Sequence, residues 1–399
     1  MIKSAKRISQ VEEYYFSRKL TEISKIDTKE FPVLNLGIGS PDLPPSVTVT
    51  DALAETASNP SNHGYQNYRG ILALREAIAQ YYKVKYNTSL DPKSMILPLF
   101  GSKEGIMHIS MAFVEDGDEV LIPNPGYPTY NAVAKLVGGK VRTYDLVESL
   151  DWRVDIKALR KADLSKVKLM WVNYPHMPTG RMGSRNELQE LVDIAKQNNF
   201  LIVNDNPYSL ILNNEPLSIL SFDGADEVAL ELNSLSKSHN MAGWRIGWVS
   251  GKSEFIDSII QVKSNMDSGM FLGSQMAAIE ALKIDSKWYQ DLNKVYSERK
   301  KIVHSILDEL GCSYSLNQSG LFVWAKIPTH VLSCTEWVDE ILYSIKVFLT
   351  PGEVFGSLGE RFVRISLCSS IEKFQTALSR IKEWNVQRVG KSTKAKINI

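Results

Sequence analysis

Cysteine is scarce in this chain, with three in 399 residues. Cys312, Cys334 and Cys368 fall in the last quarter at no metal-like spacing, which argues against a disulfide framework or a cysteine-built zinc site. They read as reduced thiols, as expected of a cytoplasmic protein. The six histidines are scattered without ligand spacing, so no metal is expected. Charge of one sign is also lacking. The net charge of +1 removes the basic excess that binds nucleic acid. No apolar run is long enough to span a bilayer. The opening residues Met1 to Arg7 lack the apolar core of a signal peptide. No internal repeat is found.

The remaining composition, 44% hydrophobic and 23% charged, is ordinary for a globular protein of two domains. Apolar runs alternate with helical patterns. The runs Met95–Phe100, Glu119–Ile122, Val167–Val172, Phe200–Val203 and Glu227–Leu232 read as strands. The stretches between them, such as Ile71 to Val84, carry apolar residues at helical spacing. This order predicts an α/β fold with a mostly parallel central sheet.

Polar and glycine-rich segments follow these strands. After the strand ending at Leu232 comes Asn233-Ser234-Leu-Ser236-Lys237, and eight residues later Arg245-Ile-Gly. A lysine ending a buried strand needs a partner or a lowered pKa, and a lowered pKa makes its amine nucleophilic. Ser234, Ser236 and Arg245 form a cradle suited to a dianion. Gly101-Ser102-Lys103 opens a helix, where free backbone N–H groups and the helix dipole favour an anion. Tyr127 lies in a proline-rich loop after a strand, where its ring can stack on a flat group. Asp205 ends a strand and Tyr208 follows three residues on. Arg364 sits on an otherwise apolar strand, Arg361–Leu367, and needs an anionic partner.

Ser234-x-Ser236-Lys237 followed by Arg245-Ile-Gly resembles the cofactor-lysine segment of the class I/II aminotransferases, fold-type I enzymes of pyridoxal phosphate (PLP). Motifs in family order from Gly39 to Arg364 extend the resemblance over nearly the whole chain. It implies a large PLP domain (45–285), a small α+β domain from both termini (1–44 plus 286–385) and a solvated tail (386–399). It implies that Lys237 is the Schiff-base lysine and general base. Asp205 would face the pyridine nitrogen and Tyr208 the phenolic oxygen. Gly101, Ser102, Lys103, Ser234, Ser236 and Arg245 would hold the phosphate, and Tyr127 would cover the ring. Gly39 and Arg364 would meet the substrate carboxylate. Tyr65 would reach the neighbouring subunit's phosphate, which implies a homodimer. Asn173 opens a segment similar to the family's Asn-x-Pro-x-Asn-Pro-Thr-Gly, but the second asparagine is Met177 here. A thioether cannot donate, so that donor would come from a water, Asn173 or His176.

The activity implied is transfer of the amino group of an L-amino acid to a 2-oxo acid by a ping-pong mechanism. A PLP-dependent lyase, performing β-elimination or decarboxylation on the same fold, is the alternative. It would release pyruvate and ammonia without an acceptor. A PLP-binding regulator is a third reading. Regulators of this kind carry an added DNA-binding domain, and the first motif near residue 35 leaves no room for one.

Overall fold

The computed structural model describes residues 2–397, with side chains as far as residue 388. In chain order its strands are β1 (Leu34–Asn35), β2 (Ile96–Leu99), β3 (Glu119–Asn124), β4 (Lys140–Asp145), β5 (Val167–Val172), β6 (Leu201–Asp205) and β7 (Ala229–Ser234). They continue as β8 (Gly247–Gly251), β9 (Ser313–Tyr314), β10 (Phe322–Lys326), β11 (Val347–Phe348), β12 (Thr350–Pro351) and β13 (Phe362–Ser366).

Seven strands form the central sheet in the order β2-β8-β7-β6-β5-β3-β4. Only β8 runs against the others. Buried strands alternate their side chains between two apolar cores. On β5, Leu169 and Trp171 enter one core, while Met170 and Val172 enter the other. Helices cover both faces, among them Ser102–Phe113, Pro128–Leu136 and Arg185–Asn198. In a sheet wound this way the carboxyl ends of the parallel strands open onto one crevice. Asn124, Asn173, Asp205 and Ser234 all lie at or just after such ends.

The second sheet, β12-β13-β10-β9, is antiparallel. Beside it β1 pairs in parallel with β11, Leu34 opposite Val347, so the N-terminal segment joins the C-terminal part of the chain. The long helix Ser286–Glu309 starts at an Asp285 cap that accepts from Lys287 N and Trp288 N. No described helix is long and apolar enough to cross a membrane.

The sequence pattern ends the last helix near Trp384 and leaves a tail from residue 386. The helix instead runs Ile371–Ile397. Residues 386–388 are exposed, so this stretch is solvated but helical. Anchors continue past Trp384: Asn385 Nδ2 donates to Glu309 O at 2.7 Å and Arg388 pairs with Glu340 at 2.6 Å. Residues 398–399 lie outside the described chain.

One buried ion pair ties these parts together. Arg299, on the long helix, grips Asp42 with two bonds of 2.7 and 2.8 Å and donates to Leu367 O at 3.1 Å. The arginine side chain is 4% exposed and the aspartate 30%. Asp42→Ala therefore strands a buried guanidinium, at a cost of about 2–4 kcal/mol. Arg299→Met leaves only a carboxylate that water can reach and costs less. Urea midpoints check the order. Equal losses would assign the effect to packing rather than charge.

Candidate active site

The crevice at the strand ends holds a cavity of about 460 Å³. At one end Gly101 adopts φ +88° before the helix Ser102–Phe113. A Cβ at Gly101 would overlap the guanidinium of Arg245, so only glycine lets the arginine lie across this helix N-terminus. Arg245 itself adopts φ +55° and anchors Nη1 on Ala242 O at 2.9 Å. The hydroxyls of Ser234 and Ser236 lie 2.8 Å apart alongside. Lys103 Nζ sits 4.2 Å from the centroid of the Tyr14 ring. Burial, then the neighbouring Arg245 charge, pushes the Lys103 pKa down. Among the described residues neither cation has a carboxylate at ion-pair distance. The donors fit a phosphate dianion.

Lys237 stands in the middle. Its Nζ donates to Gly39 O at 2.6 Å, which brings the Gly39 loop directly onto the lysine. Burial lowers the Lys237 pKa, and the Arg364 and Arg245 charges push the same way.

Asp205 ends β6. Tyr130 Oη donates to its Oδ2 at 2.9 Å, and the Tyr130 ring stacks on Trp171 at 5.0 Å. Asp205 Oδ1 is buried and has no hydrogen-bond partner. Burial raises the Asp205 pKa to about 6, against the opposing pull of Tyr130 and Lys237. An unpartnered buried carboxylate oxygen suits a cationic N–H, as on a protonated pyridine. Together with the anion cradle and the amine of Lys237, this donor and acceptor set fits PLP. Tyr127, edge-on to Tyr130 at 5.5 Å, lines the cavity, as does Tyr208. Burial raises the pKa of both phenols, so both stay protonated.

Arg364 projects from β13 into the far end. Nη2 donates to Gly37 O at 2.7 Å and Nη1 contacts Met177 Sδ at 3.3 Å. Nε has no partner. Its guanidinium lies 3.9 Å from the Phe322 centroid and 4.6 Å from that of Phe355. Burial lowers its pKa to about 10, which still leaves a cation at neutral pH. Among the described residues no carboxylate pairs with it.

Asn173 and His176 stand differently from the sequence reading, and Tyr65 lies apart from the cavity of its own chain. Asn173 lines the cavity, but both ends of its amide are committed. Nδ2 donates to Asp205 O, and Oδ1 accepts from Met177 N at 2.8 Å. It braces the strand ends rather than offering a donor. His176 Nδ1 is bound to Thr179 Oγ1 at 2.8 Å, and the residue does not line the cavity. Neither supplies the donor that Met177 lacks. Tyr65 is 93% exposed and does not reach its own chain's cavity. Sequence reasoning also missed Tyr14, Phe16, Leu20, Ile38, Phe322 and Phe355, all of which line the site. The adjacent aromatics Tyr14 to Phe16 in a polar segment were the available signal for the first two.

The state of Asp205 makes stability depend on pH. Folding raises its pKa from 3.8 to about 6, so the folded chain holds the proton more tightly than the unfolded one. There is no cost below the unfolded value. Stability then falls as pH rises from near 3.8 through about 6, by about 3 kcal/mol in all. The PLP-free Asp205→Asn variant should therefore be more stable than the PLP-free parent at pH 8, with the gap closing near pH 4. Urea midpoints at the two pH values test this. A constant gap would mean the carboxylate is not responsible.

The family described as aminotransferase class I and II matches residues 32–381. An LL-diaminopimelate aminotransferase of Oleidesulfovibrio alaskensis is 38% identical over 380 residues, 94% of this chain and 98% of the relative. The substrate-bound structure of BacF from Bacillus subtilis superposes with a TM-score of 0.92 at 32% identity, covering 96% of this chain and 98% of that one. An aromatic aminotransferase from Pyrococcus horikoshii gives a TM-score of 0.84 at 29% identity, covering 92% and 99%. Fold, matched length and identity together make this chain a member of the class I and II aminotransferases, a PLP-dependent transaminase of fold type I.

Proposed function

We propose that the amino-acid donor is held between Arg364 and Lys237, and that two copies of the chain complete each site. The observation that carries this reading is the Arg364 cation, buried without a carboxylate in the cavity that holds the Lys237 amine. A planar guanidinium with a free Nε accepts a carboxylate in a fork.

The enzyme moves an amino group from an L-amino acid to a 2-oxo acid in two half-reactions. When bound, PLP supplies the electron sink that lets the donor's α-proton leave. The chain's residues do the rest in this reading. Gly101, Ser102, Ser234, Ser236 and Arg245 bind the phosphate, with Lys103 adding charge. Asp205 keeps a proton on the pyridine nitrogen. Tyr127 packs on the ring face and Tyr208 offers its hydroxyl to the ring edge. Arg364 binds the α-carboxylate and so aims the α-hydrogen at Lys237 Nζ. The lysine, whose pKa burial lowers, takes that proton and returns it elsewhere.

The second copy is supported by one face of the chain. Tyr65, Tyr68, Met266 and Phe271 are exposed large apolar residues. Their segments are neighbours, since His63 stacks on Phe271 and Lys263 donates to Tyr68 O. A homodimer would cover this face and deliver Tyr65 to the partner's phosphate. The three thiols are free and buried, in keeping with a reducing compartment, and we place the enzyme in the cytoplasm.

Two experiments follow. In the visible spectrum of the PLP-loaded protein, a suitable L-amino acid should convert the lysine-bound cofactor band to the amine-form band. Lys237→Ala should abolish this. Arg364→Leu should lower kcat/KM by about 100-fold or more while sparing a donor that lacks the carboxylate. Equal loss with both donors would sink the carboxylate role. For the dimer, inactive Tyr65→Phe and inactive Lys237→Ala chains should regain activity when mixed and refolded together, because one hybrid site then has both residues. Failure to complement would show that Tyr65 does not act across subunits.

A further inference from the structure

We infer that the donor of this aminotransferase carries a large apolar side chain, an aromatic L-amino acid foremost, and that the N-terminal segment selects it. The inference rests on the reading of Arg364 and Lys237 given above and deepens it.

The charged groups lining the cavity are Lys103, Asp205, Lys237, Arg245 and Arg364. Each already has a task. Lys103 and Arg245 face the phosphate, Asp205 the pyridine nitrogen, Lys237 the reacting carbon and Arg364 the α-carboxylate. No further carboxylate and no further cation line the cavity among the described residues. A donor bearing a second ammonium and a second carboxylate, such as LL-diaminopimelate, would bury two charges against this chain without partners, which is costly.

Around Arg364 the wall is mostly aromatic and aliphatic. Tyr14, Phe16, Leu20, Ile38, Phe322 and Phe355 share the cavity with Arg364. Phe322, Phe355 and Phe16 ring the arginine, with centroids 3.9, 4.6 and 5.4 Å from its Cζ. The group that binds the α-carboxylate is therefore framed by benzene rings, and a donor side chain leaving the α-carbon meets them first. Aromatic surfaces of this kind favour another ring by burial and by edge-to-face contact.

The N-terminal part of this wall is built in. Tyr14, Phe16 and Leu20 belong to the start of the helix Tyr15–Ile26 and its cap. That helix is pinned to the helix Cys334–Ile345 by Lys19, whose ammonium meets Asp339 at 3.0 Å and Glu22 at 2.9 Å. Ile23 packs with Leu342 and Phe348. The segment thus forms a fixed roof over the donor.

The test uses the PLP-loaded enzyme and follows the first half-reaction with L-phenylalanine, L-leucine, L-alanine, L-aspartate and LL-diaminopimelate. The expected result is a kcat/KM for L-phenylalanine at least about tenfold above those for L-aspartate, LL-diaminopimelate and L-alanine. Phe16→Ala should lower the ratio of L-phenylalanine to L-alanine about tenfold. Leu20 is 44% exposed, so Leu20→Lys tolerates the fold and should raise L-aspartate relative to L-phenylalanine. Preference for L-aspartate or LL-diaminopimelate in the parent would overturn the inference and assign charged contacts to the partner subunit. Unchanged ratios in both variants would overturn the role of the N-terminal segment. Failure of every amino acid to convert the cofactor would instead strike the underlying Arg364 and Lys237 reading.

Discussion

The site depends on charges that are gathered around one cavity yet kept from neutralising one another. Asp205 has one carboxylate oxygen bound by Tyr130 and the other unpartnered. Arg364 is buried with no carboxylate, and Lys103 and Arg245 share one end of the cavity. In an ordinary interior such groups would pair or be replaced by apolar ones. The chain alone gains nothing from them, as the raised pKa of Asp205 and the lowered pKa of Lys237 show. In the proposed reading their stabilising partners are a phosphate, a pyridine nitrogen and a carboxylate, so binding would recover what folding loses. A protein built in this way couples cofactor affinity to its own stability.

Keeping the charges apart requires rigid supports, and the fold provides one for each. Four parallel strands end along one crevice, which spaces Tyr127, Asn173, Asp205 and Ser234 by the strand separation rather than by flexible loops. Asp205 cannot swing toward Lys237, because Tyr130 holds its carboxylate and Asn173 holds its carbonyl. Tyr130 is fixed in turn by stacking on Trp171. Arg364 is held by the Gly37 carbonyl and by rings rather than by an acid. Arg245 can lie across the helix terminus only because Gly101 has no Cβ there. These supports act on orientation, which is where preorganised sites draw their advantage.

Much of this was legible in the sequence, for a local reason. Most of the residues proposed for catalysis and phosphate binding sit where a buried strand gives way to a turn or helix, and the change from apolar run to glycine and hydroxyl residues marks that junction. Lys237, Asp205 and the Gly101 turn stand out in this way, and Arg245 by its place just before the next strand; the α/β order follows from the same alternation. The features missed were those set by contacts far apart in the chain. Phe16 and Phe322 meet at Arg364 although about 300 residues separate them, and no local pattern records that meeting. The commitment of Asn173 to two backbone groups depends on the path of β6, which its own motif does not specify. The last helix outran its apolar pattern because Asn385 and Arg388 find polar anchors on two other helices. Tyr65 is legible as a motif residue, but a single chain gives it nothing to touch.

Met177 shows how one departure from a motif alters the physics of a site. Its backbone N–H is held by Asn173 Oδ1, which fixes where the side chain leaves the main chain. What it presents is a thioether against Arg364 Nη1 at 3.3 Å. Sulfur accepts weakly and donates nothing, so it neither competes with a carboxylate for the arginine nor supplies a proton to a nearby oxygen. In the proposed reading the arginine therefore takes its counter-charge from the bound acid almost alone. Met177 also adds a soft, polarisable surface beside Phe322, Phe355 and Phe16. An asparagine there would bring a polar amide to a wall that is largely aromatic around the guanidinium. In the proposed reading the substitution and the aromatic frame thus act in one direction, concentrating the polar recognition of a donor on its carboxylate and leaving the rest of the molecule to be chosen by shape and burial.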